Sequence, residues 1–264
     1  MGRLFRFDAL FLYAVLYLLF LYAPVMLLPL FSFNDSIYIA FPLKGFTFEW
    51  YRQMAENGPL VDALQNSLKL AVSVSLICTA LGLLAAKGLT RPHLPGKRLI
   101  TGLLLLPLVV PVLILGIGLL VIARQIFAIP LSLLTVGAGH VLLCLPFATL
   151  VLMSRLEGFD RSLEEASLDL GESAWRTFWR VTVPLALPGI VASLLLCFTI
   201  SFDEFVLAFF LAGNEATLPM FIFSQLRFPN KLPGVLALGS LILVFSFVAV
   251  ALSEWLRRRD VPAK

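Results

Sequence analysis

Apolar positions in this chain do not recur every third or fourth residue, nor do they alternate. They run on for twenty residues or more at a stretch. Six such runs stand out: Ala9 to Phe31, Leu64 to Leu89, Leu99 to Ala123, Leu131 to Met153, Leu187 to Leu211 and Val235 to Leu256. A helix needs about 20 apolar residues to cross ~30 Å of hydrocarbon. The pattern predicts an all-α membrane protein with six transmembrane helices. It also predicts the organisation. Residues 1–63 hold the first transmembrane helix and a long outer loop, residues 64–256 form the core, and residues 257–264 form a short tail. One polar insertion, at about 155–185, separates the fourth run from the fifth.

Composition agrees with this pattern. The chain is 60% hydrophobic and 14% charged, with a mean hydropathy of +0.96. Soluble domains are roughly 45–50% apolar and about a quarter charged. Arg3 and Arg6 give the first run a basic start like that of a signal peptide. The run is nonetheless longer than a roughly 7–15-residue signal core. The following "LPLFSFNDS" offers no small-x-small cleavage site, so a retained helix is expected. Cys78, Cys144 and Cys197 all fall in apolar runs at unrelated spacings, which reads as small apolar filler rather than a metal or disulfide pattern.

The net charge is +4, and its distribution argues against a nucleic-acid partner. Basic residues gather in one set of loops: Arg3 and Arg6; Lys87, Arg91, Lys97 and Arg98; Arg155, Arg161, Arg176 and Arg180; Arg257, Arg258, Arg259 and Lys264. The opposite loops hold Lys44, Arg52, Lys69, Arg124, Arg227 and Lys231. Such asymmetry marks the cytoplasmic side. It predicts that both termini are cytoplasmic, in keeping with an even number of spans.

Local signals refine the elements. "GFTFEWYRQM" in the outer loop predicts a short interfacial helix, with Trp50 and Tyr51 at headgroup level. "NGPL", Asn57 to Leu60, predicts a turn. In the third run Pro107 and Pro111 each remove a backbone donor and kink the helix, while Gly116 and Gly118 let a neighbour approach. His140 lies within the fourth run, where a neutral imidazole bonded to a neighbouring helix is the expected role.

Asp203 and Glu204 interrupt the fifth run. Counting fifteen residues from Pro188 places Asp203 ~22 Å up a continuous helix, in the outer half of the bilayer. On such a helix the two acids would point about 100° apart, with Thr199 on the face of Asp203. A carboxylate at a helix centre costs about 2.5–3.5 kcal/mol on insertion scales. Water, a basic partner or a passing cation would offset that cost. Two roles therefore stand open, a substrate contact and a structural bond.

The insertion reads "SRLEGFDRSLEEASLDLGESAWRTFWRVTVPLALPGI". Ser162 and Glu165 have capping-box spacing, so a helix is expected to begin there. Leu163, Ala166 and Leu170 make a narrow apolar stripe, and Gly171 suits a left-handed helix end. Trp175, Phe178 and Trp179 anchor a second helical piece before Pro184 and Pro188. A docking element and a surface-lying hairpin both fit this pattern.

The segment resembles the EAA loop of ABC importer permeases: Glu-Ala-Ala, three residues, Gly, nine residues, Ile, one residue, Leu-Pro. Here it stands as Glu165, Ala166, Ser167, Gly171, Val181, Val183 and Pro184, with small replacements at three positions and the spacing intact. "LYAPVMLLPLFSFNDS", "ALQNSLKLAVSVS", "PLVVPVLILGIGLL" and "SFDEFVLAFFLAG" extend the resemblance over nearly the whole chain. They are similar to the C-type permease subunit of spermidine/putrescine importers. The resemblance implies the type I ABC importer permease fold and a place in a bacterial inner membrane. It implies three partners: a cytoplasmic ABC ATPase dimer, a second homologous permease and a periplasmic substrate-binding protein. Glu165, Ala166, Ser167 and Gly171 would couple to the ATPase, while Asp203, Glu204 and Thr199 would line the substrate path.

One stretch departs from the family. "PNKLPGVLALGS" replaces an Asn-Pro-Glu-like segment, losing an acid and adding Lys231. This leaves a related importer for an organophosphonate, a phosphorylated vitamin or iron as an alternative. No Gly-x4-Gly-Lys-Ser/Thr phosphate loop occurs, so the chain is expected to be no enzyme and to hold no cofactor. ATP and Mg would belong to the partner ATPase. A secondary transporter would show inverted repeats, which are not evident. A membrane enzyme would need a catalytic constellation that His140 alone does not supply.

Overall fold

The structure, a computed structural model, describes residues 9–91, 94–160 and 162–259. Arg3, Arg6, Arg161, Lys264 and the end of the 257–264 tail lie outside the described residues. In chain order the helices are α1 (Ala9–Ser32), α2 (Glu49–Ala55), α3 (Gly58–Leu89), α4 (Lys97–Val109), α5 (Val112–Val121) and α6 (Leu133–Glu157). They continue as α7 (Ser162–Asp169), α8 (Ala174–Thr177), α9 (Val183–Asp203), α10 (Val206–Leu211), α11 (Leu218–Gln225) and α12 (Leu232–Arg259). Among the described residues five helical segments are long and apolar enough to cross a membrane, or six if the bent pair α4–α5 is one span.

The chain divides into two compact units. One holds the residues up to Leu60 and those from Ile222, and the other is Val61–Phe221. In the first, α1 and α2 both pack on α12. The short helix expected around Trp50 is α2, and it is tied to the end of α1. Trp50 Nε1 donates to the Asn34 carbonyl at 2.9 Å, and the hydroxyls of Tyr51 and Ser32 lie 2.6 Å apart. Most apolar side chains of α1 are exposed, Leu10 and Phe20 each to 80%, as suits a helix facing lipid or another chain.

Three boundaries differ from the sequence pattern. Asn57 to Leu60 is the start of α3 rather than a free turn, because Asn57 Oδ1 caps the Leu60 N–H at 3.2 Å. The third run is broken rather than kinked, and α4 and α5 meet at 102°. Pro111 pushes Val110 into extended backbone (ψ 126°), and no helix can continue through it. The fifth run is also two helices, α9 and α10, split at Glu204.

The core of the second unit lies between α3, α6, α9 and α10, with Val74, Val136, Ala148, Leu207 and Leu211 fully or almost fully buried. Gly116 of α5 receives Phe210 of α10, while Gly118 has open space above it. Cys78, Cys144 and Cys197, unrelated in spacing, meet in this core at 0% exposure. Cys144 Sγ lies 3.9 Å from the Cys197 carbonyl and Cys197 Sγ lies 3.8 Å from that of Cys144, so the thiols sit where α6 and α9 approach closely. Among the described residues no His, Cys, Asp and Glu group could hold a metal ion.

Gly82 marks a second close approach. A Cβ there would lie 3.1 Å from backbone atoms of both Ala148 and Thr149 on α6. Backbone cannot swing aside as a side chain can, so Gly82→Val is expected to cost about 1–3 kcal/mol. Detergent-solubilised protein should show a lower unfolding temperature and lower yield. An unchanged melting curve would mean that α3 and α6 do not touch here.

Candidate functional site

The insertion folds as a short helix, a tight glycine turn and a second helical turn. Asp160 begins it, its carboxylate accepting the Ser162 N–H at 3.0 Å. That bond holds the Asp160 carboxyl below its usual range. The helix thus starts at Ser162 as its spacing predicts, with Asp160 providing the observed cap. Gly171 ends the helix at φ +85°. Its N–H reaches the Leu168 carbonyl at 2.9 Å, and the Glu172 N–H reaches that of Ser167 at 3.2 Å. This pair of bonds is a Schellman ending, which places a left-handed residue where Gly171 stands.

The two faces of α7 differ. Glu165, Ala166, Leu163 and Leu170 are exposed, Leu170 to 87%. Glu164 and Ser167 turn back onto the chain. Ser167 Oγ lies 2.9 Å from the hydroxyl of buried Thr177, so the serine in the third position of the pattern is a bonding residue and not only a small one. Glu164 Oε1 pairs with Lys87 of α3 and accepts the Thr182 hydroxyl at 2.5 Å. Partial burial alone would raise its pKa, but the bonds from Lys87 and Thr182 and the charges of Lys87 and Arg91 outweigh it and hold the carboxyl below its usual range. A depressed pKa means the tie is complete above the ordinary glutamate range and is lost only as pH falls below it.

Glu172 holds the far side of the turn. Arg180 reaches it at 2.5 Å and Arg176 at 3.7 Å. Trp175, Phe178 and Trp179, expected as apolar anchors, form one aromatic group with centroids 5.5–6.1 Å apart. Trp175 and Trp179 nevertheless remain more than half exposed. A hollow of about 150 Å³ opens beside α7, lined by Lys87, Arg91, Phe159, Glu164 and Glu165 among others. Sequence reasoning singled out neither Glu164 nor Glu172. Nothing local in the sequence marks Glu164, because its basic partner Lys87 lies 77 residues earlier.

The fifth run places its acids differently from a continuous helix. Asp203 is the last residue of α9, and Glu204 is extended (φ −70°, ψ 113°). The 100° offset expected between them therefore does not apply. The Glu204 carboxylate accepts the Leu207 N–H at 2.9 Å and so caps α10. Asp203 is exposed and makes no ion pair among the described residues, and Thr199 is exposed one turn before it. The 21 residues of α9 make about 31 Å, close to the ~30 Å of hydrocarbon, so Asp203 ends a helix of membrane length. The end of α10 and the loop after it are held in place. Thr135 of α6 donates to the Leu211 carbonyl at 2.7 Å, and Asn66 of α3 donates to that of Ala216 at 3.1 Å. Buried His140 bonds the hydroxyl of Ser201 on α9 through Nδ1 at 2.9 Å, the helix-to-helix role expected of it.

The spans, the broken helices and the projecting hairpin define a multi-pass transport component, a permease rather than an ATPase. The chain belongs to the family of binding-protein-dependent transport system inner membrane components, whose model matches residues 79–260. It is 34% identical over 242 residues to the spermidine/putrescine transport system permease protein PotC of Haemophilus influenzae, covering 91% of this chain and 93% of that one. It is also 34% identical over 256 residues to the putrescine transport system permease protein PotI of Escherichia coli, covering 92% and 90%. Among solved structures it resembles a bacterial ABC transporter involved in the import of the acidic polysaccharide alginate. The TM-score is 0.69 at 17% identity, over 95% of this chain and 99% of that one. At that identity the likeness concerns the fold alone.

Proposed function

We propose that this chain is a permease subunit of an ATP-driven importer of polyamines, putrescine or spermidine. The observation that carries the coupling half is α7: an eight-residue helix bonded to the chain on one face and presenting Glu165 and Ala166 on the other. That is the form of an element gripped by a partner. In this reading the partner is a cytoplasmic ABC ATPase dimer, with a second homologous permease completing the path and a periplasmic binding protein delivering substrate. Closure of the ATPase dimer moves α7, and the bundle alternates access. Similarity to the polyamine permeases PotC and PotI supports polyamines. So does Asp203, a carboxylate with no ion pair among the described residues at the end of a membrane-length helix, suited to an ammonium group. Thr199 stands beside it, and Glu204 shapes the break.

Lys231 favours a second reading. It lies exposed in the turn Pro229–Lys231, where a cation importer gains nothing from added positive charge. An organophosphonate, a phosphorylated vitamin or chelated iron would suit it better. The deciding experiment reconstitutes the complete transporter and measures ATPase stimulation with putrescine, spermidine and an alkylphosphonate. Stimulation by the phosphonate alone would overturn the polyamine reading.

The basic-loop asymmetry supports cytoplasmic termini and a cytoplasmic α7. Cys78, Cys144 and Cys197 are fully buried, so an added surface cysteine reports without background. With the chain expressed without its ATPase, Ala166→Cys is expected to resist a membrane-impermeant maleimide in intact cells and to react after permeabilisation. Labelling in intact cells would reverse the topology and remove the ATPase-docking role.

A further inference from the structure

Resemblance assigns coupling to Glu165 through Gly171, but the geometry points to their neighbour. We infer that Glu164 is the positioning residue that makes α7 move as one body with α3 and α9. The inference rests on the docking role of α7 proposed above.

Three elements meet at one carboxylate oxygen. Glu164 Oε1 takes the Lys87 ammonium from the end of α3 and the Thr182 hydroxyl from the turn that leads into α9. Lys87 also donates to Thr182 at 3.4 Å, closing the triangle. The side chains of Lys87 and Glu164 are 22% and 23% exposed, so water screens the pair less than it screens a surface bridge. Little else holds α7. Eight residues are too few for a self-supporting helix. Leu163 and Leu168 stay about half exposed and Leu170 is 87% exposed, so none of the three is buried in the core. Ser167 adds a neutral bond to Thr177.

The consequence is mechanical. Thr182 directly precedes α9, and α9 runs unbroken from Val183 to Asp203. A displacement of α7 carried by Glu164 therefore enters the helix that ends at the candidate substrate acid. It enters α3 through Lys87 at the same moment. Without the tie, α7 can rock on its glycine turn and absorb the stroke, and ATP is spent without transport.

The test uses the complete transporter in liposomes and reads substrate imported per ATP hydrolysed. Glu164→Gln and Lys87→Met should each lower that ratio about tenfold, equivalent to 1.4 kcal/mol of lost coupling, while the ATPase still co-purifies. Lys87→Arg keeps the charge and should hold the ratio near wild type. The exchanged pair Glu164→Lys with Lys87→Glu should recover most of it, the non-additivity expected of two groups acting as one. An unchanged ratio in both single variants would overturn the inference. So would a fall in complex yield with an unchanged ratio per assembled complex, which would make the tie purely structural. Ala166→Asp on the exposed face separates the two claims. If the ATPase co-purifies normally with that variant, the docking role itself fails, whatever the ratio does.

Discussion

Gly171→Val is expected to leave the protein in the membrane and to remove most coupled transport. At φ +85° a β-branched side chain strains the backbone by about 1–3 kcal/mol. Beyond Gly171 and its chain neighbours, no atom of the described residues lies within 4 Å of the position a Cβ would take, so the strain is conformational. The chain can relieve it only by leaving the left-handed region. That breaks the bonds to the Ser167 and Leu168 carbonyls and redirects the residues that follow. Thr177 then moves away from Ser167 and Arg180 from Glu172, and α7 loses its fixed presentation. Asparagine tolerates the left-handed region far better than valine. Gly171→Asn should therefore retain a good part of the activity lost in Gly171→Val. The checks are membrane yield, ATPase co-purification and substrate-stimulated ATP hydrolysis. Normal stimulated turnover in Gly171→Val would show that the turn has no coupling role.

Neutralising the two acids should separate them. Asp203 makes no ion pair among the described residues, so Asp203→Asn removes charge without breaking an observed bond. Uptake of putrescine or spermidine per assembled complex is expected to fall about tenfold, the equivalent of 1.4 kcal/mol, with assembly intact. Glu204 has a different task. Glutamine can still accept the Leu207 N–H, so Glu204→Gln should change little, whereas Glu204→Ala uncaps α10 at a cost of about 1 kcal/mol. Its signature is a lower melting temperature and poorer complex yield. Unaltered uptake per complex in Asp203→Asn would defeat a substrate contact there. Equal losses in Asp203→Asn and Glu204→Gln would mean that the break senses total charge rather than one aimed carboxylate.

Much of this molecule is written in its sequence. The apolar runs placed α1, α3, α6 and α12 to within several residues, because a span must satisfy its own backbone bonds and face lipid with apolar side chains. Gly171 was legible for a similar reason. A helix end with a left-handed residue has a local composition, and nothing distant is needed to read it. Pro107 and Pro111 announced a disturbance, but a 102° break is not readable from two prolines. Its size depends on what fills the space beside it, here α10 against α5.

Only the tertiary structure decided which acids act together. Asp203 and Glu204 look alike in the sequence, yet one makes no ion pair among the described residues and the other is a helix cap, because the backbone leaves the helix between them. Glu164 and Glu165 are also adjacent and alike. The first is bound by Lys87 and Thr182, and the second faces outward. The three cysteines meet although no spacing relates them. Hydrophobic length and turn chemistry are properties of neighbours along the chain, and they can be read in order. A hydrogen bond between residues 77 positions apart exists only once α3 and α7 have been brought together, and no local pattern encodes that meeting.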